Sequence, residues 1–276
     1  MMTLTKVLAV ILNYKGADLT IALIRSLKQI PYEGLDILVV DNCSPDNSLE
    51  VLRPLQDKLD FVLIANSKNT GYAAGNNVGI RYAIEHGYDY SWILNNDIEL
   101  IDVNILGKLI TVAKKDSKIG GVGPMVIDHN RIIQPYRERP SFWDMTLGFY
   151  SFAKRRAKTP HDYNGPVYRI YGCCMLLDNS IMQKVDMMDE RTFLYYEEDI
   201  LGEKLYDNGY YFCYTSSTRV NHFGSLIVKK EIGKKNRRKL KINQTSLHIY
   251  LKYYRHYSFF KEMVVRSFSK FLFYLR

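Results

Sequence analysis

The sequence predicts an α/β fold with a mixed, mostly parallel sheet, helices on both faces of the sheet, and an amphipathic helical extension towards the C-terminus. Short, almost continuously apolar segments alternate with longer segments in which apolar residues recur at helical spacing. Strands buried on both faces have this apolar character, and alternation with helices favours parallel pairing. The composition agrees, because 47% of the 276 residues are hydrophobic and 24% are charged.

The first hundred residues contain four predicted strands, at Val7–Leu12, Leu35–Val40, Phe61–Ala65 and Ser91–Leu94. All four are short and apolar, and each is followed by polar residues. Three helices are predicted between them, at Asp18–Gln29, Ser48–Leu55 and Ala73–His86. Asp18 is the expected N-cap of the first helix. Because ligands of open α/β sheets collect at the carboxyl ends of strands, these polar ends predict one wall of a site.

The pattern continues less regularly after residue 100. The predicted elements are a helix at Val103–Ala113, strands at Gly120–Ile127, Val167–Leu177 (broken at Gly172) and Tyr210–Tyr214, and helices at Ile181–Val185 and Ile200–Asp207. Between them, Gln134–Tyr163 is aromatic and basic, and we expect a mobile insertion near the site. Beyond Ile227 a basic stretch leads into two amphipathic helices. We therefore predict a catalytic domain over residues 1–226 and an extension over residues 227–276.

Charge and cysteine content limit the classes of function. The net charge of +9 predicts attraction to anions, which include nucleotides, nucleic acid and an anionic membrane surface. The four cysteines form no metal-type C-x-x-C pair, so we expect reduced thiols and a cytoplasmic location. No apolar run has the length of a transmembrane helix.

The segment Trp92–Asp97 ends an apolar strand abruptly in two amides and a carboxylate, Asn95, Asn96 and Asp97. Oxygen ligands gathered at a strand end suit a hard divalent cation such as Mg²⁺ or Mn²⁺. The alternative is that the triplet is only a turn and helix-cap signal.

Two clusters predict contacts to a nucleotide. Asp41 can accept hydrogen bonds from a base or a ribose, although Ser44 and Asp46 beside it also fit a helix cap. The glycine-rich segment Asn69–Gly79 opens a helix, where the backbone can approach a ligand closely and phosphate is favoured. It is not a Walker loop, because no Gly-Lys-Ser/Thr follows.

Two further clusters predict catalysis and metal binding. Glu198 and Asp199 follow an aromatic segment at a helix start, where a carboxylate can act as a general base. Acidic residues are also favoured in any first helical turn. His222, just past a strand, can give a nitrogen ligand to a cation held by Asp97, or it can be a structural histidine.

Six motifs, in this order, resemble the family 2 glycosyltransferases of GT-A fold, in particular their rhamnosyltransferase- and galactofuranosyltransferase-like branch. They are Val39-Val40-Asp41-Asn42-x-Ser44, Asn69-x-Gly71-Tyr72-Ala73-x-Gly75-Asn76-Asn77-x-Gly79, Leu94-Asn95-Asn96-Asp97, Gly172 with the strand after it, Phe193-x-Tyr195-Tyr196-Glu197-Glu198-Asp199, and His222-x-Gly224-Ser225.

The resemblance implies an inverting, metal-dependent enzyme that moves a sugar from a dTDP- or UDP-linked donor to a hydroxyl group of a saccharide acceptor. It implies that the nucleotide-sugar is bound by Asn13, Asp41, Asn69, Gly71, Asn76, Asn95, Asn96 and Asp97. It also implies that Mn²⁺ or Mg²⁺ is bound by Asp97 and His222, and that Asp199 is the base. The acceptor would contact Tyr196, Glu198 and Gly172.

The sequence departs from the family at two positions. Asn95 stands where the family's D-x-D-like motif begins with an acid, which predicts a weaker hold on the metal. Leu201 stands where many relatives carry a second acid, so the acceptor does not follow from the resemblance.

The extension has two interpretations. Its helices can pack on the catalytic domain or form a homodimer, as an amphipathic stripe commonly indicates. They can also lie on the cytoplasmic face of the cell membrane, with basic residues on anionic lipid. The second fits the polyprenyl-diphosphate-linked acceptors that the resemblance implies for cell-surface polysaccharide synthesis.

Two other functions compete with the glycosyltransferase. A nucleotidyltransferase on a similar sheet would carry a glycine-rich basic loop after the first strand, but Asn13-Tyr14-Lys15-Gly16 has one glycine. A non-enzymatic binder of membrane or nucleic acid would leave Asp41, Asp97 and Asp199 unexplained. We therefore expect no nucleic-acid partner.

Overall fold

The chain folds around one mixed sheet, as the alternating sequence pattern predicts. The computed structural model describes residues 4–128, 131–133, 135–146, 162–223 and 237–275. The strands in these ranges are β1 Val7–Asn13, β2 Leu35–Asp41, β3 Val62–Ala65, β4 Tyr90–Asn95, β5 Ile98–Leu100, β6 Ile119–Asp128, β7 Arg131–Ile133, β8 Asn164–Val167, β9 Cys174–Asp178 and β10 Tyr211–His222.

Helices cover both faces of the sheet and form the extension. They are α1 Ala17–Leu27, α2 Ser48–Leu52, α3 Gln56–Leu59, α4 Tyr72–Glu85, α5 Ile105–Ala113, α6 Phe142–Thr146, α7 Asn179–Lys184, α8 Glu197–Asp207, α9 Arg237–Ile249 and α10 Phe259–Leu275. A π-helical turn, Tyr250–Tyr254, follows α9 directly. Within the described ranges, every helix is too short or too polar to cross a membrane.

The strand order is β3-β2-β1-β4-β9-β6-β10-β5, with β7 beside β6 and β8 beside β10. The first four strands in this order are parallel, and β10 is parallel to β6. The intervening β9 runs antiparallel to both β4 and β6. Asn13 is the register partner of Asp41, and Leu12 that of Asn95. The polar ends of β1, β2 and β4 therefore lie side by side at one edge.

Alternate residues of the strands enter two cores, one on each face of the sheet. Ile11, Val39 and Trp92 pack with α1 and α5 on one face. Val10 and Ile93 pack with α4, α7 and α8 on the other. Because consecutive side chains of a strand point to opposite faces, continuous apolar runs supply both cores.

Several predicted boundaries are wrong, and local backbone chemistry explains them. The N-cap of α1 is Gly16, in the left-handed region at φ 81°, rather than Asp18. The helix predicted over Ser48–Leu55 ends at Leu52 and continues as a 3₁₀ turn that contains Pro54, which lacks a backbone N–H. Helix α8 begins three residues earlier than predicted, at Glu197.

The sequence prediction also missed or merged strands. It missed β5, and it joined β8 and β9 into one strand, although the two pair with different neighbours. Of the expected mobile insertion, residues 135–146 contain α6, whereas Gln134 and residues 147–161 lie outside the described residues. Mobility there stays a prediction.

Candidate active site

The ends of β1 and β2 carry a hydrogen-bonded pair, Asn13 and Asp41, both fully buried. Asn13 Nδ2 donates to Asp41 Oδ1 at 2.7 Å. Ser44 donates its backbone N–H to Asp41 Oδ2 at 2.9 Å and its hydroxyl to Oδ1 at 2.5 Å. The Asp41 carboxylate, which the sequence predicts to bind the nucleotide, therefore holds the loop after β2 against the end of β1.

Asn96 belongs to the same corner. Its Nδ2 lies 3.2 Å from Asn13 Oδ1, from the Lys15 carbonyl oxygen and from Thr20 Oγ1. The amide therefore positions Asn13 and the turn before α1, a role that the sequence did not predict. Its neighbour Asn95 donates its backbone N–H to the Cys173 carbonyl at 3.0 Å, which ties the end of β4 to the turn before β9.

The start of α4 is built on Gly71, whose φ of 95° favours glycine. A Cβ atom at this position would lie 2.3 Å from the Phe193 carbonyl oxygen, and that oxygen accepts the Tyr72 N–H at 2.9 Å. Asn69 Oδ1 accepts the Gly71 N–H at 3.0 Å. The glycine-rich segment at the start of α4 therefore packs closely against the segment that precedes α8.

Asn76 lies one turn further along α4 and is fully buried. Its Nδ2 donates to the Tyr72 carbonyl at 3.1 Å, whereas its Oδ1 has no hydrogen-bond partner among the residues that the structure describes. The Tyr72 hydroxyl donates to the Gly172 carbonyl at 2.6 Å. A buried acceptor without a donor is uncommon, and a bound ligand is one way to satisfy it.

Asp97 and His222 meet because β10 pairs antiparallel with β5, which places His222 opposite Ile98. His222 Nε2 lies 3.4 Å from Asp97 Oδ1, and the side chains are 21% and 10% exposed. This nitrogen is buried and forms no hydrogen bond with any residue of the described ranges. The described residues contain no group of three His, Cys, Asp or Glu side chains that could hold a metal. The pair can therefore supply two ligands, one nitrogen and one oxygen.

Asp199 is buried in the first turn of α8 and forms an ion pair. Arg169 Nη1 donates to its Oδ2 at 2.7 Å, and the guanidinium stacks 3.7 Å above the centre of the Tyr136 ring. Burial lowers the pKa of Arg169, but the Asp199 carboxylate and its other neighbours raise this pKa well above its usual value. Arg169 therefore stays charged and fixes the orientation of Asp199.

Glu198 and Glu197 have different environments from Asp199. The Gly172 N–H donates to Glu198 Oε1 at 3.0 Å, and a Cβ atom on residue 172 would lie 2.5 Å from that oxygen. Burial raises the pKa of Glu198, an effect that Arg169 partly offsets. Glu197 is 4% exposed, and its Oε1 has no hydrogen-bond partner in the part of the chain that the structure describes. Burial raises the pKa of Glu197 well above the usual range.

Tyr195 and Tyr196, just before α8, both have positive φ, at 77° and 68°. Such a conformation is rare for aromatic residues and stores strain, which is often found at functional sites. The Tyr196 ring stacks on Tyr250, with 5.6 Å between ring centres. The C-terminal extension therefore fixes the position of Tyr196, which the sequence predicts to contact the acceptor.

Direct contacts thus join predicted site residues in separate groups: Asn13 contacts Asp41 and Asn96, Gly172 contacts Glu198, and Asp97 lies beside His222. Gly224 and Ser225 lie outside the described residues. A separate cavity of about 630 Å³ lies elsewhere, between α5 and the first half of β10, and none of the predicted residues lines it. Sequence reasoning missed Arg169, because no local signal shows that it meets a carboxylate 30 residues away.

Solved structures with the same architecture are glycosyltransferases of GT-A fold. One is the Pyrobaculum calidifontis mannosyltransferase in complex with GDP-Man and Mn²⁺, with a TM-score of 0.65 and 12% identity over 91% of this chain and 65% of that chain. Another is Staphylococcus aureus TarS 1–349 with UDP-GlcNAc, with a TM-score of 0.61 and 13% identity over 90% of this chain and 67% of that chain. The fold is thus that of GT-A glycosyltransferases.

The chain belongs to glycosyl transferase family 2, whose family model matches residues 8–185. A low-salt glycan biosynthesis hexosyltransferase, Agl10 of Haloferax volcanii, is 29% identical over 68% of this chain. An N-acetylglucosaminyl-diphospho-decaprenol L-rhamnosyltransferase of Mycobacterium tuberculosis is 25% identical over 71% of it. The chain spans 58% of the first relative and 69% of the second. The family is the one that the sequence motifs predicted.

Proposed function

We propose that the protein transfers a sugar from a dTDP- or UDP-linked donor to a hydroxyl group of a saccharide acceptor, with inversion at the anomeric carbon. The observation that carries the proposal is a chain of contacts at the end of β4: the Asn95 N–H donates to the Cys173 carbonyl, and the adjacent Gly172 N–H donates to Glu198 in the first turn of α8. Nucleotide ligands of such sheets bind at this edge. Relatives that act on glycans and on a decaprenol-linked sugar support the saccharide acceptor.

The donor would lie across the ends of β1, β2 and β4. The loop after β2, held by Asp41, and the start of α4 at Gly71 would face the nucleoside. The unsatisfied Oδ1 of Asn76 is an acceptor suited to a hydroxyl or N–H group of the donor.

We propose that Asp97 and His222 hold Mn²⁺ or Mg²⁺. The Nε2 of His222 fits this role, because it is buried, lies 3.4 Å from a carboxylate oxygen of Asp97, and has no hydrogen-bond partner among the described residues. Two of the solved structures of similar fold contain Mn²⁺. A cation bound there would neutralise negative charge on the departing diphosphate.

In the proposed reaction, the acceptor oxygen forms a bond to the anomeric carbon on the side opposite the diphosphate. The bond between that carbon and the diphosphate oxygen breaks, and the diphosphate leaves with the electron pair. The acceptor proton goes to the Asp199 carboxylate, which Arg169 orients. Tyr196, Glu198 and Gly172 would line the acceptor side.

We further propose that the acceptor is linked to a polyprenyl diphosphate, and that the protein works at the cytoplasmic face of the membrane in polysaccharide synthesis. The decaprenol-linked substrate in the name of the mycobacterial relative supports this. Two further points stay proposals. One is the division into a catalytic domain, residues 1–226, and an extension, residues 227–276. The other is a homodimer that forms through that extension.

The donor is identified by thermal shift with UDP-, dTDP- and GDP-sugars, each with and without Mn²⁺. A ligand that binds only the folded state raises stability by about 2.7 kcal/mol at a hundred times its Kd. We expect a shift with a UDP- or dTDP-sugar that increases with Mn²⁺, and a smaller Mn²⁺ increment in His222→Ala. No shift with any donor would refute the proposal.

The base is tested by comparing Asp199→Asn with Glu198→Gln. We expect Asp199→Asn to lower kcat by about 10²–10⁴-fold while donor binding persists. Because Asp199→Asn also leaves Arg169 without its counter-charge, near-UV circular dichroism must show that the variant is folded. If Asp199→Asn keeps full sugar transfer and Glu198→Gln loses it, the base is Glu198 rather than Asp199.

A further inference from the structure

Helix α10 presents its aromatic side chains to solvent. Phe259 and Phe260 are 82% and 67% exposed, the most exposed large hydrophobic side chains among the described residues. Met263, Phe271 and Tyr274 are also about half exposed. At 3.6 residues per turn, Phe260, Met263, Phe271 and Tyr274 form one stripe along the helix. We call these four residues the α10 stripe.

The opposite face of α10, which packs on the protein, is partly polar. Glu262 is 7% exposed and accepts hydrogen bonds from His248 Nδ1–H at 2.6 Å and from Arg266 Nη1 at 2.8 Å. Ser269 Oγ accepts from Gln244 Nε2 at 3.2 Å. A helix on a protein surface normally turns its apolar face inward. Here these polar contacts, together with the buried Val265, hold the helix with its rings outward.

The charge around the stripe indicates what covers it. Residues 237–275 contain nine Lys and Arg residues and a single acid, Glu262, which is buried. Lys261 and Lys270 are exposed beside the stripe. A second copy of the chain would bring the same positive charges to the interface, and like charges oppose such a contact. An anionic surface with an apolar interior satisfies both the rings and the lysines.

We propose that the α10 stripe docks on an anionic lipid bilayer, with its rings among the acyl chains and Lys261 and Lys270 on lipid phosphates. The helix would lie in the plane of the interface rather than span it. This proposal deepens the membrane location proposed above and rests on it, but it concerns a surface distant in sequence from Asp97 and Asp199.

Co-flotation of the full chain with vesicles tests the proposal. We expect binding to phosphatidylcholine vesicles that contain phosphatidylglycerol, weaker binding to phosphatidylcholine alone, and loss of binding as salt is raised. In Phe260→Ser/Phe271→Ser the affinity for anionic vesicles should fall about tenfold or more. Val103→Ser is the matched control, because Val103 is 54% exposed outside the extension, and this variant should bind like the wild type.

Three outcomes would overturn the proposal. They are unchanged vesicle binding by Phe260→Ser/Phe271→Ser, equal binding to both kinds of vesicle, and a dimer in solution that the double substitution dissociates. Transfer to a water-soluble acceptor is measured in parallel and should be the same in this variant and the wild type. If the wild type transfers sugar but does not bind vesicles, only the docking surface is refuted. If the wild type transfers no sugar, the proposed enzyme activity is refuted.

Discussion

The fold gives three consecutive acids, Glu197, Glu198 and Asp199, three different environments. Asp199 pairs with Arg169, Glu198 accepts the Gly172 N–H, and Glu197 is buried with one oxygen that has no hydrogen-bond partner among the described residues. A single guanidinium cannot neutralise three adjacent carboxylates in a buried turn. The pKa of Glu197 rises because burial penalises its charged form, with Glu198 adding to the effect.

Glu197 therefore makes stability depend on pH. Between the usual Glu pKa of about 4.3 and the raised value, the folded state binds more protons than the unfolded state. The free energy of unfolding consequently falls as pH rises through this window. Glu197→Gln removes this titrating group. The free energy of unfolding of the variant, relative to that of the wild type, should therefore increase from about pH 4.5 upwards.

Urea denaturation of both proteins at several pH values measures this difference. The exposed Glu85, at the end of α4, offers Glu85→Gln as a control for the change in composition. Parallel stability curves for the wild type and Glu197→Gln would contradict the assignment of the titration to Glu197.

At the scale of elements, the start of α4 depends on close contact with the segment before α8. Gly71→Ala would place a methyl group 2.3 Å from the Phe193 carbonyl oxygen at a φ that disfavours alanine. We expect a loss of about 1–3 kcal/mol in the free energy of unfolding and weaker donor binding. In Gly107→Ala, inside α5, the added methyl group would have no atom of the described residues within 4 Å. This control should be neutral or more stable by about 0.5–1 kcal/mol.

Elements were predictable from sequence where a local pattern determines them. The strands at β1, β2 and β4 are continuous apolar runs, and their polar ends correctly predicted which residues share one edge of the sheet. The three-residue β5 has no such pattern, because it exists through pairing with β10 more than a hundred residues later. The same holds for Arg169 with Asp199 and for Asn96 with Thr20, whose partners are set by tertiary packing.

At the scale of the whole molecule, the extension is attached to the helix that carries the proposed base. Ile200 of α8 packs in one cluster with Leu247, Tyr250 and Leu251. The hydroxyl groups of Tyr250 and Tyr168 lie 2.9 Å apart, and Tyr168 donates to the fully buried Glu203 at 2.6 Å. Since these contacts cover α8, the extension contributes both to its stability and to the orientation of Tyr196.

A chain that ends at residue 226, the boundary predicted from the sequence, should therefore lose more than a membrane contact. Removal of α9 and α10 exposes Ile200, which is fully buried in the intact chain, and uncovers Tyr196 and Met145 of the same cluster. Lost burial of two or more large apolar side chains costs about 3 kcal/mol or more. Urea denaturation should show a lower midpoint, whereas Tyr250→Phe, which removes one hydroxyl group, should cost only about 1 kcal/mol. A truncated chain with the wild-type midpoint and intact transfer would show that residues 227–276 are dispensable for the catalytic fold, because the α8 contacts would then add nothing to its stability.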